Sequence, residues 1–200
     1  MIDTVTKIPN LLQSAGATLM SIALAVALGR PCLCAESTAD QASAKTEQKF
    51  EITSPAFQPG APVPKQYSGD GKDISPPLRW AGAPAKTESF ALICDDPDAP
   101  AGTWVHWVIY DIPAAARAFK EAVPRDKQLP NGSKQGANSS GKIGYNGPSP
   151  PAGKPHRYFF KLYALDKAAG LKPGATKQQV LDAIKGHTVG EAELVGTYKR

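Results

Sequence analysis

The sequence predicts a mostly β protein, an antiparallel β-sandwich with small peripheral helices. Three observations carry this expectation. The chain holds 18 glycines and 19 prolines in 200 residues, well above the roughly 12% of an average protein, and both residues break helices. Its apolar residues come in short aromatic or β-branched runs separated by Pro/Gly-rich connections, the spacing of an all-β domain. A single segment carries a clear helical period. The 42% apolar content is too high for a disordered chain, and the length suits one domain rather than two.

Each element follows from local pattern. Phe50–Thr53 is a short strand. Ser89–Asp95 (SFALICD) is almost continuously apolar, as a strand buried on both faces must be. Trp104–Tyr110 (WVHWVIY) and His156–Leu165 (HRYFFKLYAL) are aromatic and β-branched, and Glu193–Tyr198 (ELVGTY) closes the chain. Strict alternation places Trp104, His106, Val108 and Tyr110 on one face, and His156, Tyr158 and Phe160 on one face. Arg157, Phe159, Lys161 and Tyr163 take the other, where Arg157 is expected to neutralise a buried carboxylate. The helix is expected over Lys177–Lys185. Thr176 stands three residues before Gln179, a capping-box spacing; Val180, Leu181 and Ile184 follow at helical intervals, and Gly186 is placed to end it.

The N-terminus reads as an address. Residues 15–28 (AGATLMSIALAVAL) form the only long uncharged apolar run. It is shorter than the roughly 20 residues a spanning helix needs, and it matches the apolar part of a secretory signal peptide. Cleavage is expected after Cys34 or Ala35. Residues 1–35 are thus read as signal peptide, 36–48 as a flexible tether and 49–200 as the domain, exported to the periplasm or secreted, with no transmembrane span in the mature form. Arg30-Pro31 before Cys32 make a poor lipidation site. Cleavage removes Cys32 and Cys34, which leaves Cys94 without an intramolecular partner.

Two strands bring polar groups to stiff, Pro-rich loops. Asp95-Asp96-Pro97-Asp98 ends one apolar run just before His106, and GYNGPSPPAGKP precedes His156. Imidazole, phenol and the backbone N–H groups around Gly144, Gly147 and Gly153 can donate to phosphate oxygens. Asp96 and Asp98 can hold a histidine in one tautomer or accept from an ammonium group. This set suits a small phosphorylated or zwitterionic ligand.

At these residues the chain resembles the phosphatidylethanolamine-binding proteins, most closely their bacterial Raf kinase inhibitor-like branch. The match runs through DDPDAP…GTWVHWVIYDIP (Asp95–Pro113) and GYNGPSPPAGKPHRYFFKLYALD (Gly144–Asp166), with ISPPLRW (Ile74–Trp80) and AELVGTYKR (Ala192–Arg200) in support. The resemblance implies a β-sandwich with a small pocket for phosphate-like anions or phospholipid head groups, and a possible role as inhibitor or modulator of an unidentified partner protein. It places the pocket aspartates on Asp96 and Asp98, the proline on Pro100, the histidines on His106 and His156, the tyrosine on Tyr158 and the glycine-bearing loop on Gly147–Gly153. Trp104 is expected at the pocket wall. The helical extension that animal members carry beside the pocket has no counterpart in the matched residues.

The expected function is therefore non-catalytic binding, with no cofactor and no metal. The alternative is a hydrolase using the same Asp/His groups for acid–base chemistry. Against it, Cys94 lies within an apolar run, Ser139 and Ser140 lack a nearby fixed base, and no GxSxG occurs. Asp96, Asp98, His106 and His156 are zinc-ligand types without the spacing of a local metal motif. A net charge of +5 and pI near 9.1 permit anionic partners without requiring them. Nucleic acid is not expected, because the basic and aromatic residues of HRYFFKLY alternate between faces and form no single stacking platform.

Overall fold

The computed structural model describes residues 48–200. The expected signal peptide, its cysteines and nearly all of the expected tether lie outside the described residues. Within them, β1 (Glu51–Thr53), β2 (Leu78–Ala81) and β5 (Ala118–Phe119) form a three-stranded antiparallel sheet in the order β1-β2-β5. A five-stranded antiparallel sheet has the order β6-β4-β3-β7-β8, built from β3 (Ser89–Asp96), β4 (Trp104–Pro113), β6 (Lys134–Gln135), β7 (His156–Leu165) and β8 (Thr188–Tyr198). One α-helix, α1 (Lys177–Ile184), and a 3-10 turn at Lys65–Tyr67 complete the regular structure. No helix among the described residues is long and apolar enough to cross a membrane.

The larger sheet is covered on both sides, which explains the composition of β3. All eight of its residues are buried. Phe90, Leu92 and Cys94 face the smaller sheet and pack with Ile52, Trp80, Phe119, Trp107, Phe160 and Leu162. Ala91 and Ile93 face the other way, with Val108, Tyr110, Val180 and Ile184. Trp80 joins the layers, with its ring centroid 5.8 Å from that of Phe90 and 5.4 Å from that of Phe119. Each such fully buried side chain contributes about 1.5–3 kcal/mol of transfer free energy. Asp95, on the helix side, is paired with Lys177 at the start of α1 and with Lys161 of β7.

The helix forms where its spacing predicts, one residue shorter. The Thr176 side chain accepts from the Gln179 N–H and Gln179 reaches back to the Thr176 N–H, a complete capping box. Gly186, at φ +79°, takes the chain out of the helix in a conformation that L side chains avoid. Strands β2, β5 and β6 escape a sequence reading because they are two to four residues long and lie beside Pro76-Pro77 or within polar loops. Strand β8 begins five residues earlier than the pattern suggests.

The alternation expected along β4 does not hold. Cys94 pairs with Trp107, but Asp95 pairs with Val105, so His106 is an extra residue in β4. A second irregularity sets Phe90 against Ile112 and Leu92 against Ile109, with Asp111 at φ +53°. Trp107 and Ile109 therefore join the inter-sheet core, while Val108 and Tyr110 turn to the helix side. His106 does not share their face, because a bulge re-aims the side chain it inserts.

Candidate functional site

The ends of three neighbouring strands meet at one edge of the sandwich. Asp96 is the last residue of β3, Trp104 and His106 open β4, and His156 and Tyr158 open β7. The loops after β3 and before β7 complete a cavity of about 210 Å³. Its lining includes Asp96, Pro100, Trp104, His106, Gly147, His156 and Tyr158. Ser149, Pro150 and Pro151 of the expected Gly147–Gly153 loop also line it, together with Ala99 and Asn146, which the sequence does not single out. The volume is below the ~300 Å³ lower bound of pockets for drug-sized ligands.

The floor is polar and fixed. The His156 Nδ1–H donates to Asp96 Oδ2 at 2.8 Å, and the Asp98 N–H donates to Asp96 Oδ1 at 2.8 Å. Asp96 thus spends both oxygens on the protein. His106 Nδ1 lies 2.6 Å from the Asn146 carbonyl oxygen; a carbonyl only accepts, so Nδ1 carries the proton. The Asn146 N–H returns a bond to the His106 carbonyl at 2.9 Å. Among the described residues, neither imidazole has a partner at Nε2. Burial lowers the basicity of His106 below the ordinary histidine value, against the smaller opposing pull of its Asn146 bond and of Asp96, Asp95 and Asp73. Neutral His106 therefore presents an Nε2 lone pair.

Tyr158 packs edge-on against His106, with ring centroids 5.1 Å apart. Its hydroxyl is buried beside the Asp96 carboxylate, without a well-formed hydrogen bond to it. Burial first, then the nearby Asp96 carboxylate, push its ionisation far above the ordinary phenol value. It stays a neutral hydroxyl, able to donate. Trp104, 37% exposed and the only large hydrophobic side chain so exposed among the described residues, stands at the mouth with the three prolines.

Two expected site residues do not line the cavity. Asp98 is clamped by Arg157, taking its N–H at 3.0 Å, Nε at 2.9 Å and Nη2 at 2.7 Å. These bonds hold the Asp98 carboxyl down to about 2. The pair is on the surface, so Arg157 does not neutralise a buried carboxylate as expected. Gly153 sits at φ +148° with nothing near its Cα hydrogen side; it shapes the turn before β7. Gly147 lines the cavity, but its N–H is not free for a ligand, since it donates to Asp73 Oδ1 at 2.6 Å.

The candidate nucleophiles are occupied or buried. Ser139 Oγ accepts the Val105 N–H, and Ser140 Oγ donates to Asn146 Oδ1. Cys94 lies in the core, where burial raises its thiol pKa well above the ordinary value. No group of three His, Cys, Asp or Glu side chains among the described residues is placed to hold a metal ion.

The family model of the phosphatidylethanolamine-binding proteins matches residues 53–199. The chain belongs to this family. Among its relatives, a UPF0098 protein of Methanothermobacter thermautotrophicus is 54% identical over 145 residues, which span 72% of this chain and 95% of the relative. One of Aquifex aeolicus is 47% identical over 153 residues, spanning 76% and 89%. Two solved structures share the fold. A phosphatidylethanolamine-binding protein homologue from Chlamydia trachomatis has a TM-score of 0.70 at 40% identity, over 76% of this chain and 98% of that one. E. coli YbcL, described as a member of the mammalian family, has a TM-score of 0.72 at 32% identity, over 76% and 99%. Family membership makes this a binding-protein fold, and the cavity lies inside the matched region.

Proposed function

We propose that this protein binds the oxyanion of a small phosphorylated molecule, a phosphate or phosphate ester, without turning it over. The convergence of a phenol held neutral, Tyr158, with two imidazoles on one small cavity carries the reading. The two Nε2 atoms, freed by the bonds their Nδ1 atoms make to Asn146 and Asp96, supply two further contacts. Asp96 keeps its negative charge, so an anion is accommodated beside it when His156, bonded to it at 2.8 Å, carries a second proton and offsets that charge. Trp104 and the prolines at the mouth give the organic part of an ester an apolar wall.

Neutral imidazole Nε2 and a phosphate dianion both offer lone pairs. Binding therefore takes up a proton, either onto an imidazole or as the P–OH of the monoanion. Affinity is expected to fall as pH rises from 5 to 8, by up to about tenfold per unit for each proton taken up. Calorimetric titration with phosphate and with phosphoethanolamine tests this. In the same assay His156→Ala weakens binding by about tenfold or more. An unchanged affinity in that variant removes His156 from the site, and a flat pH profile overturns the proton linkage.

A further inference from the structure

The peptide group joining Asn146 to Gly147 is gripped on both edges. Its carbonyl accepts the His106 Nδ1–H at 2.6 Å, and its N–H donates to Asp73 Oδ1 at 2.6 Å. Asp73 is itself over-determined. Arg125 Nη2 donates to Asp73 Oδ2 at 2.6 Å and to its carbonyl oxygen at 2.5 Å, and the Asp73 N–H donates to Ser68 at 3.2 Å. Its φ is +54°, a left-handed conformation that costs a non-glycine residue free energy and persists only where the surroundings enforce it. A strained carboxylate, ion-paired behind the pocket, is thus aimed at one backbone N–H.

We propose that Asp73 is a positioning residue of the pocket: through the Asn146–Gly147 peptide it makes the Asn146 carbonyl a fixed acceptor and so locks His106 in its Nδ1–H tautomer. A carboxylate at one end of a peptide dipole polarises the carbonyl at the other. The arrangement does for His106, through a peptide, what Asp96 does for His156 by direct contact. Its functional consequence rests on the anion-binding reading above; its structural core does not.

Other charged and titratable groups also bear on His106. Asp95 and Asp96 approach from β3, Tyr158 and His156 from β7, and Arg125 stands behind Asp73. The test must separate Asp73 from these. Because the chain has three histidines, their ring nitrogens can be followed individually by 15N NMR, with His187, bonded to Asp166, as an internal control. Asp73→Asn keeps an acceptor for the Gly147 N–H and removes the charge. Asp73→Gly removes the acceptor and suits the left-handed backbone.

In the wild type His106 is expected as the Nδ1–H tautomer. In Asp73→Asn that tautomer persists, the His106 titration midpoint moves to lower pH, and phosphate binds about threefold more weakly. In Asp73→Gly the tautomers mix and phosphate binding falls by about tenfold. His187 is unchanged in both. A His106 tautomer and titration identical to wild type in either folded variant overturns the proposal. If wild-type protein fails to bind phosphate while His106 still responds, the anion reading fails and the positioning role stands.

Discussion

Adding one methyl group at Gly147 tests how the pocket loop is seated. A Cβ there would lie 2.5 Å from the Tyr67 carbonyl oxygen and 2.8 Å from the Ser68 carbonyl carbon and Cα. These are backbone atoms, so no side-chain rotation relieves the clash, and the loop or the 67–68 segment must move. Three bonds span that interface: Tyr145 Oη to the Tyr67 carbonyl at 2.8 Å, the Gly69 N–H to the Pro148 carbonyl at 2.8 Å, and the Gly147 N–H to Asp73. Overpacking costs about 1–3 kcal/mol and a buried group that loses its partner about 1–3 kcal/mol. Gly147→Ala is therefore expected to destabilise the protein by about 2–6 kcal/mol, a fall of roughly 4–24 °C in Tm for a domain of this size. Differential scanning calorimetry reads the fall. Gly153→Ala is the comparison, since that site is open and the cost is backbone strain alone, about 1–3 kcal/mol at a φ of +148°. A Gly147→Ala protein that melts with the wild type and binds phosphate equally well refutes the close seating.

Further expectations follow from buried polar groups and from the rim. Gln135 accepts from Trp107 Nε1 at 2.8 Å and donates to the Pro124 and Asp126 carbonyls at 2.7 Å; Gln135→Ala strands the buried Trp107 N–H and should cost about 1–3 kcal/mol by urea denaturation, whereas an unchanged stability contradicts this account. Asp98 is held below its unfolded value, so its pairing with Arg157 stabilises above about pH 4 and is lost as pH falls through about 2; the difference in Tm between wild type and Asp98→Asn should shrink on acidification from pH 6 to 2.5, and a difference independent of pH contradicts it.

Much of the architecture is legible in the linear chain because it rests on local pattern. The unbroken apolar run of β3, the half-exposed alternation of Arg157, Phe159, Lys161 and Tyr163, and the Thr176–Gln179 capping box each appear where residue order alone places them. The polar clusters beside the Pro-rich loops likewise announce a pocket, and Asp96, His106, His156 and Tyr158 do converge on one. Asn146 and Asp73 carry no such signal. The first acts through its carbonyl, which every residue has, and the second through a contact 74 residues away in sequence.

Residue order by itself determined the β class, the helix and its caps, the burial of β3 and the chemical inventory of the site. Tertiary structure alone decided which of those groups face the cavity. A one-residue bulge rotates His106 out of the register that alternation assigns, because a pleated strand inverts every later side chain when one residue is inserted. Pairing across the fold decided the rest: Arg157 draws Asp98 to the surface, and Asp73 claims the Gly147 N–H. Hydrogen-bond partners are chosen by distance in space, and distance along the chain carries almost no information about them.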